Sequence, residues 1–230
     1  MTSRNNIIQS FLRFFFWHLY TTIAWAYDLV AFTSSMGQWS TWQRAGTERI
    51  PPGRTLEIGH GTGRVLHSLS SEGREVFAID PSKQMIRIAS RRLQADHLPL
   101  HLCQAKAQSL PFPDESFQSL LATFPSEYIL DKGTYLEAWR VLNPGGIFII
   151  IPGIVEIFGW RGRKNLSALL DEVASLLYRL TGEAIGRGDE WKDKLEEVLK
   201  EIPFTLDIEF VQQHRAVVLR ITAKKPPAQS

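Results

Sequence analysis

Apolar positions along the chain alternate between two rhythms. Short, largely apolar runs at Thr55–Ile58 and at residues 75–79, 98–103, 119–124 and 147–151 predict strands buried on both faces. Between them the apolar positions recur every three or four residues. A first helix is predicted from about Gly63 to Ser71, stopping near Gly73. Met85, Ile86, Ile88, Ala89 and Leu93 mark one face of a second, with Arg87, Arg91 and Arg92 on solvated positions. Tyr135, Leu136, Ala138, Trp139, Val141 and Leu142 mark a third, which Asn143-Pro144-Gly145-Gly146 should end with a glycine cap and a tight reversal. Residues 204–211 and 216–223 predict an antiparallel hairpin, and residues 224–230 a frayed polar tail. The alternation predicts an α/β fold: a three-layer, doubly wound, mostly parallel seven-stranded sheet with a C-terminal antiparallel hairpin.

Two stretches break this rhythm. Residues 7–32 are apolar and aromatic on nearly every face, with Phe14, Phe15, Phe16, Trp17, Tyr20, Trp25 and Tyr27 among them. Their charge-free part, residues 14–27, is shorter than the ~20 residues that cross a bilayer. It also lacks the basic start and small-residue cleavage site of a secretory signal. The expected element is a helix buried against the domain, with a helix lying on a membrane surface as the second reading. Residues 1–50 are thus an expected N-terminal helical lid, and residues 51–230 one domain carrying a helical insertion at 153–202. Within the insertion, Leu166, Leu169, Leu170, Val173, Leu176, Leu177 and Leu180 predict one amphipathic helix, and Trp191, Leu195, Val198 and Leu199 a second. Trp160-Arg161-Gly162-Arg163-Lys164 is a basic cluster read as solvated surface.

Composition narrows the function. An apolar content of 44% over 230 residues supports one sizeable core. A net charge of +2 gives no reason to expect a nucleic-acid partner. Cys103 is the only cysteine, which excludes an intramolecular disulfide, fits a reducing, cytoplasmic setting and reads as a core thiol. The six histidines and that cysteine show no zinc-ligand spacing, so no metal is expected.

The candidate chemistry lies in Glu57-Ile58-Gly59-His60-Gly61-Thr62-Gly63, where a buried strand turns through glycines into a helix. Gly59 and Gly61 permit a sharp turn and close approach to a ligand, and Gly63 permits close packing of the helix. Unpaired N–H groups at such a helix start favour electron-rich ligand groups. The spacing is G-x-G-x-G, whereas dinucleotide sites carry G-x-G-x-x-G. Asp80 ends the second strand, where doubly wound folds place a carboxylate against ribose hydroxyls. Asp80-Pro81-Ser82 equally reads as a helix start.

The glycine turn, preceded by Glu57, resembles the first motif of class I S-adenosylmethionine-dependent methyltransferases. The stretch 107–124 and the Leu142-Asn143-Pro144-Gly145-Gly146 corner resemble their small-molecule branch, which includes the quinone-biosynthesis enzymes. The resemblance covers about residues 54–152 plus the terminal hairpin. It implies S-adenosylmethionine as cofactor and a small, hydrophobic methyl acceptor. It also implies cofactor contacts at Glu57, Gly59, His60, Gly61, Gly63, Asp80, Pro81, Met85, Ala107, Gln108 and Thr123, with Gln84 or Met85 flanking the adenine. The family places an acidic residue where this chain has Lys106. An ammonium is no acceptor for the adenine amino group, which leaves the backbone at Ala105 or Ala107, or Gln108. Gln118 likewise stands where the family usually has Asp. On the acceptor side the candidates are Tyr20, Tyr27, Phe124 and Tyr128, with Glu127 as a general base or, equally, a helix-starting glutamate. Two other readings compete. One is an NAD-dependent oxidoreductase; the other is a non-catalytic membrane-associated or partner-binding protein on the same fold. Peripheral membrane contact fits the aromatic N-terminal segment.

Overall fold

In the computed structural model, whose described residues are 39–157, 188–213 and 216–228, strands and helices alternate from the first glycine turn onward. Numbered within those residues, the elements are α1 (Trp39–Thr47), β1 (Thr55–Ile58), α2 (Arg64–Ser71), β2 (Val76–Asp80), α3 (Lys83–Ala95), β3 (Leu102–Gln104) and β4 (Phe117–Thr123). A 3-10 turn (Glu127–Leu130), α4 (Lys132–Val141), β5 (Leu142–Ile157), α5 (Gly188–Leu199), β6 (Thr205–Gln213) and β7 (Ala216–Lys224) complete them. They form one seven-stranded sheet in the order β3-β2-β1-β4-β5-β7-β6. β1 to β5 pair in parallel, and β7 runs antiparallel to both β5 and β6.

The apolar runs form strands because both faces of the sheet are covered. Leu120, Ala122, Phe148 and Ile150 point into one core with Tyr135, Ala138 and Val141 of α4 and Leu195 and Leu199 of α5. Their neighbours Leu121, Ile149 and Ile151 point into a second core with Ala45 of α1, Val65, Leu66 and Leu69 of α2, and Leu93 of α3. A period of two on each strand thus feeds two opposite layers. Residues 39–50 belong to this packing, since Ala45 and Ile50 are buried in the second core. Of the expected lid at residues 1–50, residues 1–38 lie outside the described residues, as do the insertion helix at residues 166–180 and the basic cluster at 160–164. Among the described residues no helix is long and apolar enough to cross a membrane.

Four local expectations change. β3 spans only Leu102–Gln104, because α3 runs to Ala95 and the chain then needs a return through His97 at φ 53°. Cys103 on that strand is half-buried. The corner after α4 contains no separate turn: β5 begins at Leu142, and residues 143–146 form a bulge between the pairs Phe117↔Leu142 and Ser119↔Ile147. The carbonyls of Trp139 and Leu142 at the end of α4 are then held by Lys225 Nζ at 2.9 and 2.7 Å. A buried ammonium caps this helix where a glycine was expected, which also favours the negative end of the helix dipole. Lys225 is therefore fixed, and the tail begins to extend into solvent only beyond it.

Candidate functional site

The sheet reverses its order between β1 and β4, and the polar residues singled out in the sequence gather at the carboxyl ends of these strands. Glu57, the third residue of β1, is buried. The N-cap position of α2 is Gly63, which has no side chain to cap the helix; the Glu57 carboxylate instead accepts the backbone N–H of Leu66. Its Oε2, also buried, has no hydrogen-bond partner among the described residues. Burial pushes this carboxyl up to about 8; the Leu66 N–H opposes the shift and the charge of Asp80 adds to it.

The glycine turn follows with Gly59, Gly61 and Gly63 at φ 73°, 52° and 74°. Each plays a different part. A Cβ on Gly63 would lie 2.6 Å from Ala89 Cβ, so this glycine serves the packing of α2 on α3. A Cβ on Gly59 would lie 2.7 Å from the Tyr128 hydroxyl. A Cβ on Gly61 would meet nothing within 4 Å. Gly61 thus borders open space, as a backbone left bare for a ligand does. Between them, His60 is buried; its Nδ1 bonds Gly61 O at 2.8 Å, and that contact requires the proton on Nδ1. Nε2 is then a bare, buried acceptor without a partner among the described residues. Burial pushes the His60 ring down to about 4, which keeps it neutral.

Asp80 joins the turn to β2. Its Oδ2 accepts the Gly61 N–H at 3.0 Å and its Oδ1 the Ser82 N–H at 2.8 Å. Of the two alternatives read from the sequence, these bonds bear on the helix start. Asp80 supports the helix start, although the N-cap of α3 is Ser82, which accepts the Met85 N–H. Each Asp80 oxygen also keeps a second lone pair. Burial pushes this carboxyl up to about 6, against the two backbone N–H groups that lower it. On α3, Met85 is wholly within the core, while Oε1 of neighbouring Gln84 is buried without a partner among the described residues. Of the pair proposed to flank adenine, Gln84 offers the acceptor. Pro81 is exposed, with its carbonyl taken by Gln104 Nε2.

The loop after β3 comes to the same edge. Lys106 is exposed and its carbonyl accepts the Ser109 N–H, while Ala107 is buried. Gln108 Nε2 donates to Asp131 Oδ2 at 3.1 Å, which directs that amide toward the start of α4. Arg140 and Glu137 of α4 hold the rest of the loop: Arg140 donates to the carbonyls of Leu110 and Phe112, and Glu137 accepts the Leu110 N–H. Thr123, at the end of β4, is near Gln43 Nε2 of α1 at 3.5 Å. Phe124 is buried in the second core at φ 50°, a strained conformation for a non-glycine residue where the chain turns toward the acceptor side. Glu127 is exposed at the start of the 3-10 turn, and Tyr128 is half-buried with its hydroxyl donating to Ile58 O at 2.9 Å. Tyr20 and Tyr27 lie outside the described residues. Neither the strain at Phe124 nor the reach of Tyr128 over Gly59 had a signature in the sequence, because each depends on where β4 ends relative to β1. Among the described residues no group of three or more His, Cys, Asp or Glu side chains is placed to hold a metal.

Comparison with known proteins bears on this arrangement. Residues 56–150 match the family model described as methyltransferase domain. The chain is 28% identical over 178 residues to the ubiquinone/menaquinone biosynthesis C-methyltransferase UbiE of Pectobacterium atrosepticum, covering 73% of this chain and 68% of that protein. It is 32% identical over 136 residues to the demethylmenaquinone methyltransferase of Clavibacter sepedonicus; there the match spans 57% of this chain and about half, 55%, of that relative. Among solved structures, phosphoethanolamine N-methyltransferase 2 of Haemonchus contortus, in complex with S-adenosyl-L-methionine, superimposes with a TM-score of 0.58 at 17% identity. That likeness covers 83% of this chain and 53% of the other, and it is a likeness of fold.

Proposed function

We infer that this chain is a class I S-adenosylmethionine-dependent methyltransferase, similar to the quinone-biosynthesis methyltransferases, and that it methylates a small, hydrophobic acceptor. One observation carries the placement of the cofactor. Gly61 borders open space with its N–H held by Asp80, and Glu57 Oε2 of the preceding strand is buried without a partner among the described residues, at the edge where open α/β sheets bind ligands. The set of acceptors fits the cofactor. Glu57 Oε2 is an acceptor for the ammonium of its methionine part, Asp80 has lone pairs for the ribose hydroxyls, and Gln84 Oε1 is an acceptor for the adenine amino group. A dinucleotide is a poorer match, because the turn has no G-x-G-x-x-G spacing for a pyrophosphate.

The sulfonium of the cofactor makes the methyl group electrophilic when bound. What remains for the protein is alignment and the acceptor's proton. The glycine turn and Asp80 hold one reactant in place, and the residues after β4 bound the space for the other. Phe124 and Tyr128 are the described residues proposed for that border. Glu127, exposed and next to Tyr128, is the group proposed to take the proton on a carboxylate oxygen. Peripheral membrane contact by the N-terminal segment would bring a lipid-soluble acceptor to this edge.

Transfer of a labelled methyl group from S-adenosylmethionine into solvent-extractable product tests this reading, with a demethylated quinone offered beside a phenol and an amine. Label is expected in the quinone-type product. Label in the amine alone, or in none of the three, would contradict the proposed acceptor class. With the acceptor in hand, Glu127→Gln should lower turnover by roughly 10²–10⁴-fold and leave cofactor affinity unchanged. Undiminished turnover across the pH range would leave alignment as the whole of catalysis.

A further inference from the structure

Tyr128 belongs by sequence to the acceptor side, yet its hydroxyl reaches into the cofactor turn. It donates to Ile58 O at 2.9 Å, across 70 residues of chain. Ile58 lies one residue beyond Glu57↔Leu121, the last register pair between β1 and β4, so this side-chain bond extends the link between the two strands into the turn. The same hydroxyl lies 2.7 Å from the place of a Cβ on Gly59, with the ring carbons Cζ and Cε1 at 3.4 and 3.5 Å. Tyr128 is itself held from behind. Its carbonyl accepts the Thr134 hydroxyl at 2.7 Å, from a fully buried threonine, and the Asp131 N–H at 3.1 Å. Asp131 caps α4 through the Gly133 N–H and accepts Gln108 Nε2 from the loop after β3. A continuous set of hydrogen bonds therefore runs from that loop, through the start of α4 and the 3-10 turn, to the last carbonyl of β1.

We propose that Tyr128 is a positioning residue whose hydroxyl sets the glycine turn against the acceptor-side turn, so that cofactor and acceptor geometry depend on one side chain. This rests on the methyltransferase reading of the site. It also assigns Gly59 a reason separate from ligand approach: the hydroxyl occupies the space of any side chain there. A rigid constellation needs such support, because a displacement of about 1 Å between reactants can cost 10²-fold in rate.

A double-mutant cycle read by S-adenosylhomocysteine affinity tests it, with thermal melting as the control for folding. Tyr128→Phe removes one neutral hydrogen bond and should weaken binding about 2- to 10-fold. Gly59→Ala should weaken it more, since its methyl meets the hydroxyl. In Gly59→Ala/Tyr128→Phe the methyl faces only ring carbons, so the double variant should bind at least about threefold more tightly than the product of the two single effects predicts. The backbone strain of alanine at φ 73° is present with and without the hydroxyl and cancels from the cycle. Multiplicative effects, or a Tyr128→Phe protein that binds like the wild type, would overturn the positioning role. A wild-type protein that binds no S-adenosylhomocysteine would instead overturn the methyltransferase reading beneath it.

Discussion

Glu57 illustrates how a single buried residue ties the site to pH. Its carboxyl is raised from 4.5 to about 8, so between those values the folded protein holds a proton that the unfolded chain has released. Stability from this group is complete below the unfolded value and is lost as pH rises through about 8. Asp80, raised to about 6, acts in the same sense at lower pH, whereas His60, lowered to about 4, loses stability as pH falls. Between pH 7.5 and 8.5, where Asp80 is ionised and His60 neutral in the folded and unfolded states alike, Glu57 is the one of these three that still titrates. The melting temperature of the ligand-free protein should fall over that window, and Glu57→Gln should flatten the fall. An equal slope in both proteins would show that Glu57 is already ionised. Asp80→Asn keeps one acceptor for a backbone N–H but removes the charge, so it should weaken S-adenosylhomocysteine binding about tenfold or more and leave the fold intact. Calorimetry reads the affinity, and an unchanged value would remove the ribose assignment. The glycines and Asp80 were legible in the sequence because their partners are near in the chain or fixed by the turn. Gln84 was named beside Met85, but the burial of its Oε1 without a partner was not legible, since it depends on the packing of the whole layer.

Among the elements, the end of α4 departs most from its sequence pattern. Pro144-Gly145-Gly146 reads as a helix stop, and it does stop the helix, but as a bulge inside β5. The capping falls to Lys225, 83 residues beyond Leu142, whose ammonium also lies 3.7 Å from Glu115 and 5.2 Å from the centre of the Trp139 ring. No local signal marks a lysine in a polar tail as a cap; only the antiparallel return of β7 beside β5 brings it there. Lys225→Met keeps the apolar stem and leaves two carbonyls without their charged donor. It should destabilise the protein by about 1.5–3 kcal/mol in urea unfolding. A loss no larger than that of an exposed lysine such as Lys224 would mean that water caps the helix equally well. β3 shows the opposite failure. Its apolar run is longer than the strand, because the helix before it takes residues to Ala95 and the return takes those to His101.

For the whole molecule, the layered α/β architecture follows from the alternation of apolar runs and helical spacing, while the strand order is seen only in the structure. Strands buried on both faces need helices on both sides, and the terminal hairpin closes the sheet with β7 between β5 and β6. This places the ends of β1, β2 and β4 at one edge and leaves the site between them. The sequence showed which residues leave that edge but not their depth: Thr123 and Phe124 are buried, while Glu127 is exposed. The central claim is that this edge binds S-adenosylmethionine and no dinucleotide. Calorimetric titration of the full-length protein with S-adenosylhomocysteine, and separately with NAD, tests it most directly. The account predicts one molecule of S-adenosylhomocysteine bound per chain and no heat from NAD. Binding of NAD, or of neither ligand, would contradict it.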